Sequence, residues 1–200
     1  MRFQALTLAF CLTFAMALPG LAATPGVMAP DFTITDTAGK AVKLADYRGK
    51  FVVLEWTNPE CPFVQKHYDS NNMQGLQKEW GAKDVVWLTI NSTNASHSEY
   101  KTPDAMASWM RAHGAAPKAT LIDGTSNTAR AYGAKNTPHM FVIDPKGTLV
   151  YNGAIDDKRT TNPGDVKIAN NYVRAALTEA TAGKPVTVAT TTPYGCTLKY

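Results

Sequence analysis

Cysteine is scarce in this chain: Cys11, Cys61 and Cys196 are the only three in 200 residues. No Cys-x-x-Cys or His-x-x-x-His pair occurs, and His67, His97, His113 and His139 are scattered. That excludes metal sites built on local ligand spacing and leaves the metal expectation at none. Long apolar runs are lacking too: the one candidate, 5–18, is shorter than the roughly 18 residues from which a membrane span is read. Charge is mild, with 20 basic against 16 acidic residues. Lys and Arg form no block and no basic stripe with interleaved aromatics, which argues against nucleic acid as a partner. No internal repeat is present.

What is there begins with a leader. A basic start at Arg2, the apolar 5–18 stretch and small residues up to Ala23 describe a secretory signal peptide over 1–23. Export follows, to the periplasm in a Gram-negative host and otherwise by secretion. Cys11 lies inside the apolar stretch and leaves with it. The rest divides into one domain, 24–185, and a C-terminal tail, 186–200. Cys61 and Cys196 then remain in an oxidising compartment, either as a structural bridge or as a redox pair.

Alternating residues at 31–36, a turn at Gly39 and the 41–44 segment predict an N-terminal β-hairpin. Apolar runs at 51–56 and 85–90 read as buried strands. Helical spacing follows Pro62 as far as Trp80, with a break near 69–72. Thr102-Pro103 opens another helix, 119–123 is a short strand, and a helix over 126–132 ends at Gly133. A hairpin turns at Pro145-Lys146-Gly147, and an amphipathic helix is predicted over 166–182. This order describes an α/β fold with a central mixed sheet flanked by helices. The tail ends in Tyr194-Gly195-Cys196, and its cysteine and two tyrosines suggest that it docks.

Cys61 stands at a strand-to-helix turn, with Pro62 at the first helical position. The positive end of the helix dipole there favours thiolate, the nucleophile of redox chemistry.

The strand ending at Trp56, the cysteine at a helix start and Thr137-Pro138 ahead of a hairpin together resemble the thioredoxin fold. They are most similar to its redoxin branch, the alkyl hydroperoxide reductase and thiol-specific antioxidant family, over about 29–182. The resemblance implies a cis Pro138 beside the reactive cysteine, and a substrate groove formed by Pro138, Thr137, His139, Pro62 and Trp56. Glu55 matches the position of a buried acid that relays a proton; its alternative is a surface-facing or ion-paired residue. Two departures stand out. Val64 occupies the place of the second cysteine of thioredoxins, and Asn58 and Leu54 replace the Thr/Ser and Pro of typical peroxiredoxins.

The expected activity is thiol-disulfide exchange or thiol-dependent peroxide reduction. Cys61 is the nucleophile and Cys196 the resolving thiol; the substrate is a peroxide or a protein disulfide or thiol, and an external thiol is the electron donor. No cofactor is needed, because the sulfurs carry the electrons. The rival is a non-catalytic binding module stapled by a Cys61–Cys196 bond. Lys66 and His67 are expected as solvated helix residues, Glu60 as exposed, and His139 either as a donor to the sulfur or as a lining residue.

Overall fold

The computed structural model describes residues 23–200, so the predicted leader and Cys11 lie outside the described residues. Strands β1 (Thr33–Thr35) and β2 (Ala41–Lys43) form the expected N-terminal hairpin. The central sheet comprises β3 (Val52–Trp56), β4 (Val86–Asn91), β5 (Ala119–Ile122), β7 (His139–Ile143) and β8 (Leu149–Gly153). Its order is β5-β4-β3-β7-β8; β4 runs parallel to β3 and β5, whereas β7 is antiparallel to β3 and to β8. A short strand β6 (Asn136–Thr137) precedes β7.

Strand periodicity divides the core in two. Val52, Leu54 and Trp56 face the hairpin residues Phe32, Ile34, Val42 and Leu44 and helix α4 (Asn127–Tyr132). Val53 faces the opposite layer, built from α1 (Pro62–Asp69), α2 (Asn72–Gly81), α3 (Pro103–Ala112) and α5 (Tyr172–Thr181). Alternation puts Glu55 on this second face as well.

The helix boundaries have local causes. Asn71 adopts a left-handed conformation at φ 57°, separating α1 from α2 where the sequence signalled a break. Thr102 caps α3 by accepting from the Ala105 amide at 3.2 Å, and Pro103 needs no donor in the first turn. The helix expected over 166–182 is corrected. A 3-10 turn covers Pro163–Ile168, and α5 starts only at Tyr172. Asn170 is drawn out of helical register by two bonds to the Asp157 carboxylate, at 2.9 and 2.8 Å, while Asn171 caps the new helix through the Arg174 amide at 2.8 Å. Such side chains compete with the helix for backbone groups. Ile168 is accordingly exposed instead of joining an apolar stripe.

Both sheet edges are covered, which blocks edge-to-edge association. The hairpin meets β5 through the Thr37 amide and the Thr120 carbonyl, at 2.9 Å. The segment after α5 runs along β8, where the Asn152 amide donates to Ala189 O at 3.0 Å and the Thr191 amide to Asn152 O at 3.1 Å. The tail then continues past the N-terminal end of β7 and forms β9 (Cys196–Thr197), antiparallel to β6, with Thr137 opposite Cys196 and Asn136 opposite Thr197. Beyond it the Leu198 amide donates to Lys135 O at 3.0 Å, and the Tyr200 hydroxyl donates to Ala134 O.

Gly195 makes this docking possible. Its φ is +121°, and a Cβ there would lie 2.0 Å from Thr137 O and 2.8 Å from Thr137 C. Backbone atoms cannot yield as a side-chain tip can, so Gly195→Ala is expected to expel the tail. Hydrogen exchange at the Leu198 amide should accelerate at least about tenfold, equivalent to about 1.4 kcal/mol, with the Leu54 amide unaffected. Unchanged protection at Leu198 would contradict this account of the contact.

Candidate active site

Cys61 is the N-cap residue of α1, with extended dihedrals (φ −83°, ψ 118°) and Pro62 following it at the first helical position. The turn before it is closed by the Cys61 amide donating to Asn58 O at 3.0 Å, and by the Glu60 amide donating to Asn58 Oδ1, also at 3.0 Å. Asn58, three residues before the cysteine, is buried and donates from Nδ2 to Glu99 at 2.6 Å. Glu60 is exposed, as expected, and pairs with Lys101.

The Cys61 thiol donates to Thr137 O across 3.0 Å. Thr137 lies opposite Cys196 in the β6–β9 ladder, and the Thr137–Pro138 peptide is cis. Cys61, Thr137, Pro138, Gly195 and Cys196 therefore meet in one small volume, assembled from a helix start, the β6–β7 junction and the tail. Both cysteines are free thiols. Burial, together with the adjacent Cys61 sulfur, pushes the Cys196 thiol up to about 12, so Cys196 is held protonated while Cys61 beside it is reduced. Cys61 is 1% exposed, roofed by the tail.

Two residues expected in the groove are buried with their polar atoms bonded to other partners. Trp56 is fully buried on the hairpin side of the sheet; its Nε1 donates to Ser92 Oγ at 3.0 Å, and its ring packs on Tyr132 and Phe141. Alternation along β3 sends position 56 to the face opposite α1. His139 is its cross-strand neighbour. The Lys135 amide donates to His139 Nδ1 at 3.1 Å, and Nε2 meets Asn152 Oδ1 at 2.8 Å. Burial lowers this imidazole to about 4, so it is neutral with both nitrogens engaged, and neither partner is a sulfur.

Glu55 is fully buried, not surface-facing. Oε1 accepts from Tyr68 at 2.8 Å, and Oε2 from Trp87 at 2.7 Å, Thr89 at 3.1 Å and Gln77 at 3.2 Å. Despite four neutral donors, burial raises its carboxyl from the usual 4.5 to about 7. Tyr68 belongs to α1, the helix that Cys61 caps, which links the acid to the cysteine's helix without a direct contact. Gln77 and Trp87 also line a cavity of about 380 Å³ at the far end of β3 and β4.

Lys66 and His67 correct the expectation of solvated helix residues: they are 1% and 0% exposed. His67 Nε2 meets the Tyr194 hydroxyl at 3.1 Å, and Lys66 Nζ donates to Lys158 O at 2.6 Å. Asp156, buried beside them, accepts from the Tyr194 hydroxyl. No periodicity marks Asp156, because its partners come from α1 and the tail. Among the described residues no group of three or more His, Cys, Asp or Glu side chains is arranged to hold a metal ion, and no helix is long and apolar enough to cross a membrane.

Comparison with known proteins places the fold and the family. Residues 25–152 match the model of the AhpC/TSA family. The chain belongs to that family. Among curated proteins it is 28% identical over 132 residues to the thiol-disulfide oxidoreductase ResA of Bacillus subtilis, a match covering 62% of this chain and 64% of that one. It is 32% identical over 138 residues to peroxiredoxin-2 of Cricetulus griseus, covering 62% and 66%. The chain thus spans a little under two thirds of these relatives. An uncharacterized conserved protein of Geobacillus kaustophilus superposes with a TM-score of 0.77 at 27% identity, covering 92% of this chain and 98% of that one. The thioredoxin domain of a thiol-disulfide oxidoreductase from Bacteroides vulgatus gives 0.53 at 18% identity, covering 74% and 100%, a likeness of fold alone. The fold of this family member is thioredoxin-like.

The acid's raised value has a signed consequence. Glu55 favours the folded state only while protonated, so its contribution is present below 4.5 and lost as the pH rises from there to about 7. His67 and His139, lowered to about 3 and about 4, work in the opposite direction but are common to both proteins in a comparison. Glu55→Gln should therefore gain about 3 kcal/mol relative to wild type between pH 4.5 and 7, measured by urea unfolding at both values. A pH-independent difference would refute the assignment.

Proposed function

We propose that the chain is an exported thiol-disulfide oxidoreductase in which Cys61 is the nucleophile and Cys196 the resolving thiol. The observation that carries this reading is the β6–β9 pairing. It sets Cys196 opposite Thr137, whose carbonyl accepts from the Cys61 thiol. Export rests on the leader-like residues 1–23.

In the first step the Cys61 thiolate attacks a substrate disulfide, forms a mixed disulfide and expels one substrate thiolate. Cys196 then attacks the Cys61 sulfur. The mixed disulfide breaks, the Cys61–Cys196 bond forms and the second substrate thiolate leaves. Two electrons pass from the protein pair to the substrate, and the protons of Cys61 and Cys196 go to the two departing sulfurs. Once Cys61 is bonded to substrate it carries no charge beside Cys196, so one of the causes that raises the resolving thiol is removed when it must react. An external thiol returns the pair to the dithiol state. Pro138 and Pro62 shape the groove, and Glu55 is a buried acid that acts on the site only indirectly, through its bond to Tyr68 of α1.

The burial of Cys61 favours a second reading, peroxide reduction, because a hydroperoxide needs far less space than a protein. Cys61 then takes one oxygen as sulfenic acid, releasing an alcohol or water, and Cys196 condenses with it, releasing water. Both readings end in the same disulfide.

Equilibrating the protein in glutathione buffers, with thiol labelling read by mass spectrometry, tests the pair itself. A potential between about −120 and −270 mV, the range of exchange catalysts, is expected. A value below about −300 mV would mark a structural staple and favour the binding-module alternative.

A further inference from the structure

The exchange steps above assign no role to the buried polar cluster of Lys66, His67 and Asp156 behind the tail. Lys66, His67 and Asp156 are each at most 1% exposed. Lys66 Nζ lies 3.9 Å and His67 Nε2 4.0 Å from Asp156 Oδ2, an oxygen with no hydrogen-bond partner. A buried charge pair of this length is a poor source of stability, so a specifying role is worth seeking.

The cluster's hydrogen bonds run in one direction and end on the tail's anchor. Asn72 Nδ2 donates to His67 Nδ1 at 2.9 Å. Burial keeps that imidazole neutral, lowered to about 3; its one proton is then on Nε2 and points at the Tyr194 hydroxyl, 3.1 Å away. The hydroxyl in turn donates to Asp156 Oδ1, which also accepts from the Lys158 amide at 3.0 Å. The Tyr194 ring packs edge-on to Phe63, with centroids 5.8 Å apart, and Lys66 Nζ sits 5.6 Å above its centre. Phe63, Lys66 and His67 all belong to α1, the helix that Cys61 caps. Tyr194 is two residues from Cys196, separated by the glycine that fits against Thr137 O.

We propose that Tyr194 is the positioning residue of the redox pair: its hydroxyl, seated between His67 and Asp156, holds Cys196 against Cys61. This rests on the proposed exchange function. With the tail seated, the resolving thiol is at high effective concentration and Cys61 is closed to large reagents; with it released, both properties are lost together.

Tyr194→Phe tests this, because it keeps the ring contacts and removes only the hydroxyl. The equilibrium constant of the Cys61–Cys196 disulfide against glutathione is expected to fall at least tenfold. Alkylation of Cys61 in the fully reduced protein should accelerate at least tenfold, while exchange at the Leu54 amide stays unchanged. Asp156→Asn, which keeps the acceptor but removes its charge, should shift both readouts in the same direction by less, and it serves as the test if the phenylalanine variant does not fold. Values within twofold of wild type for a folded variant would overturn the proposal. A wild-type protein that forms no Cys61–Cys196 bond at any glutathione ratio would instead overturn the exchange function, and the proposal with it.

Discussion

The close approach of the Gly195–Cys196 backbone to the Thr137–Pro138 junction is the constraint on which the site depends. It allows β9 to pair with β6, roofs Cys61 and supplies the second thiol from more than a hundred residues away in sequence. Cys61 alone, at the start of α1, has no local partner, because Val64 stands where an intrahelical disulfide would need sulfur. The cost of ordering a terminal segment is offset by several anchors: Tyr194 at one end, Leu198 and Tyr200 at the other, and the ladder between them.

Two buried polar groups lie behind this contact and are handled differently. Glu55 is surrounded by neutral donors, so its lone pairs are satisfied but its charge is not, and burial prevails. Asp156 has a cation near it, yet burial still raises its carboxyl, and one oxygen lacks a donor. The first is a protonatable group enclosed within the sheet; the second bonds the tail's Tyr194 beside α1. Neither is explained by stability alone, since apolar residues of similar volume would pack such positions at no electrostatic cost.

Much of the fold was legible in local pattern. The 51–56 and 85–90 runs, the break after α1, the cap at Thr102 and the 145–147 turn all rest on short-range physics and match the structure. The helix expected over 166–182 starts only at Tyr172, because the tie from Asn170 to Asp157 is a tertiary contact that periodicity cannot register. In the site, Cys61, Thr137 and Pro138 were legible as a helix start and a pre-hairpin proline. The resemblance to the family implies groove positions for Trp56 and His139, whereas strand alternation sends Trp56 to the other face and a backbone amide with Asn152 takes up both nitrogens of His139. Lys66 and His67 looked like solvated charges because the groups that bury them, Asp156 and Tyr194, lie far along the chain.

The central claim is that the tail brings Cys196 to Cys61 within one chain. Oxidising the reduced protein with one equivalent of oxidised glutathione, across a hundredfold range of protein concentration, tests it most directly. Formation of a monomeric Cys61–Cys196 linkage whose intramolecular step has the same first-order rate throughout is the result predicted. A rate that rises with protein concentration and yields a covalent dimer would contradict it.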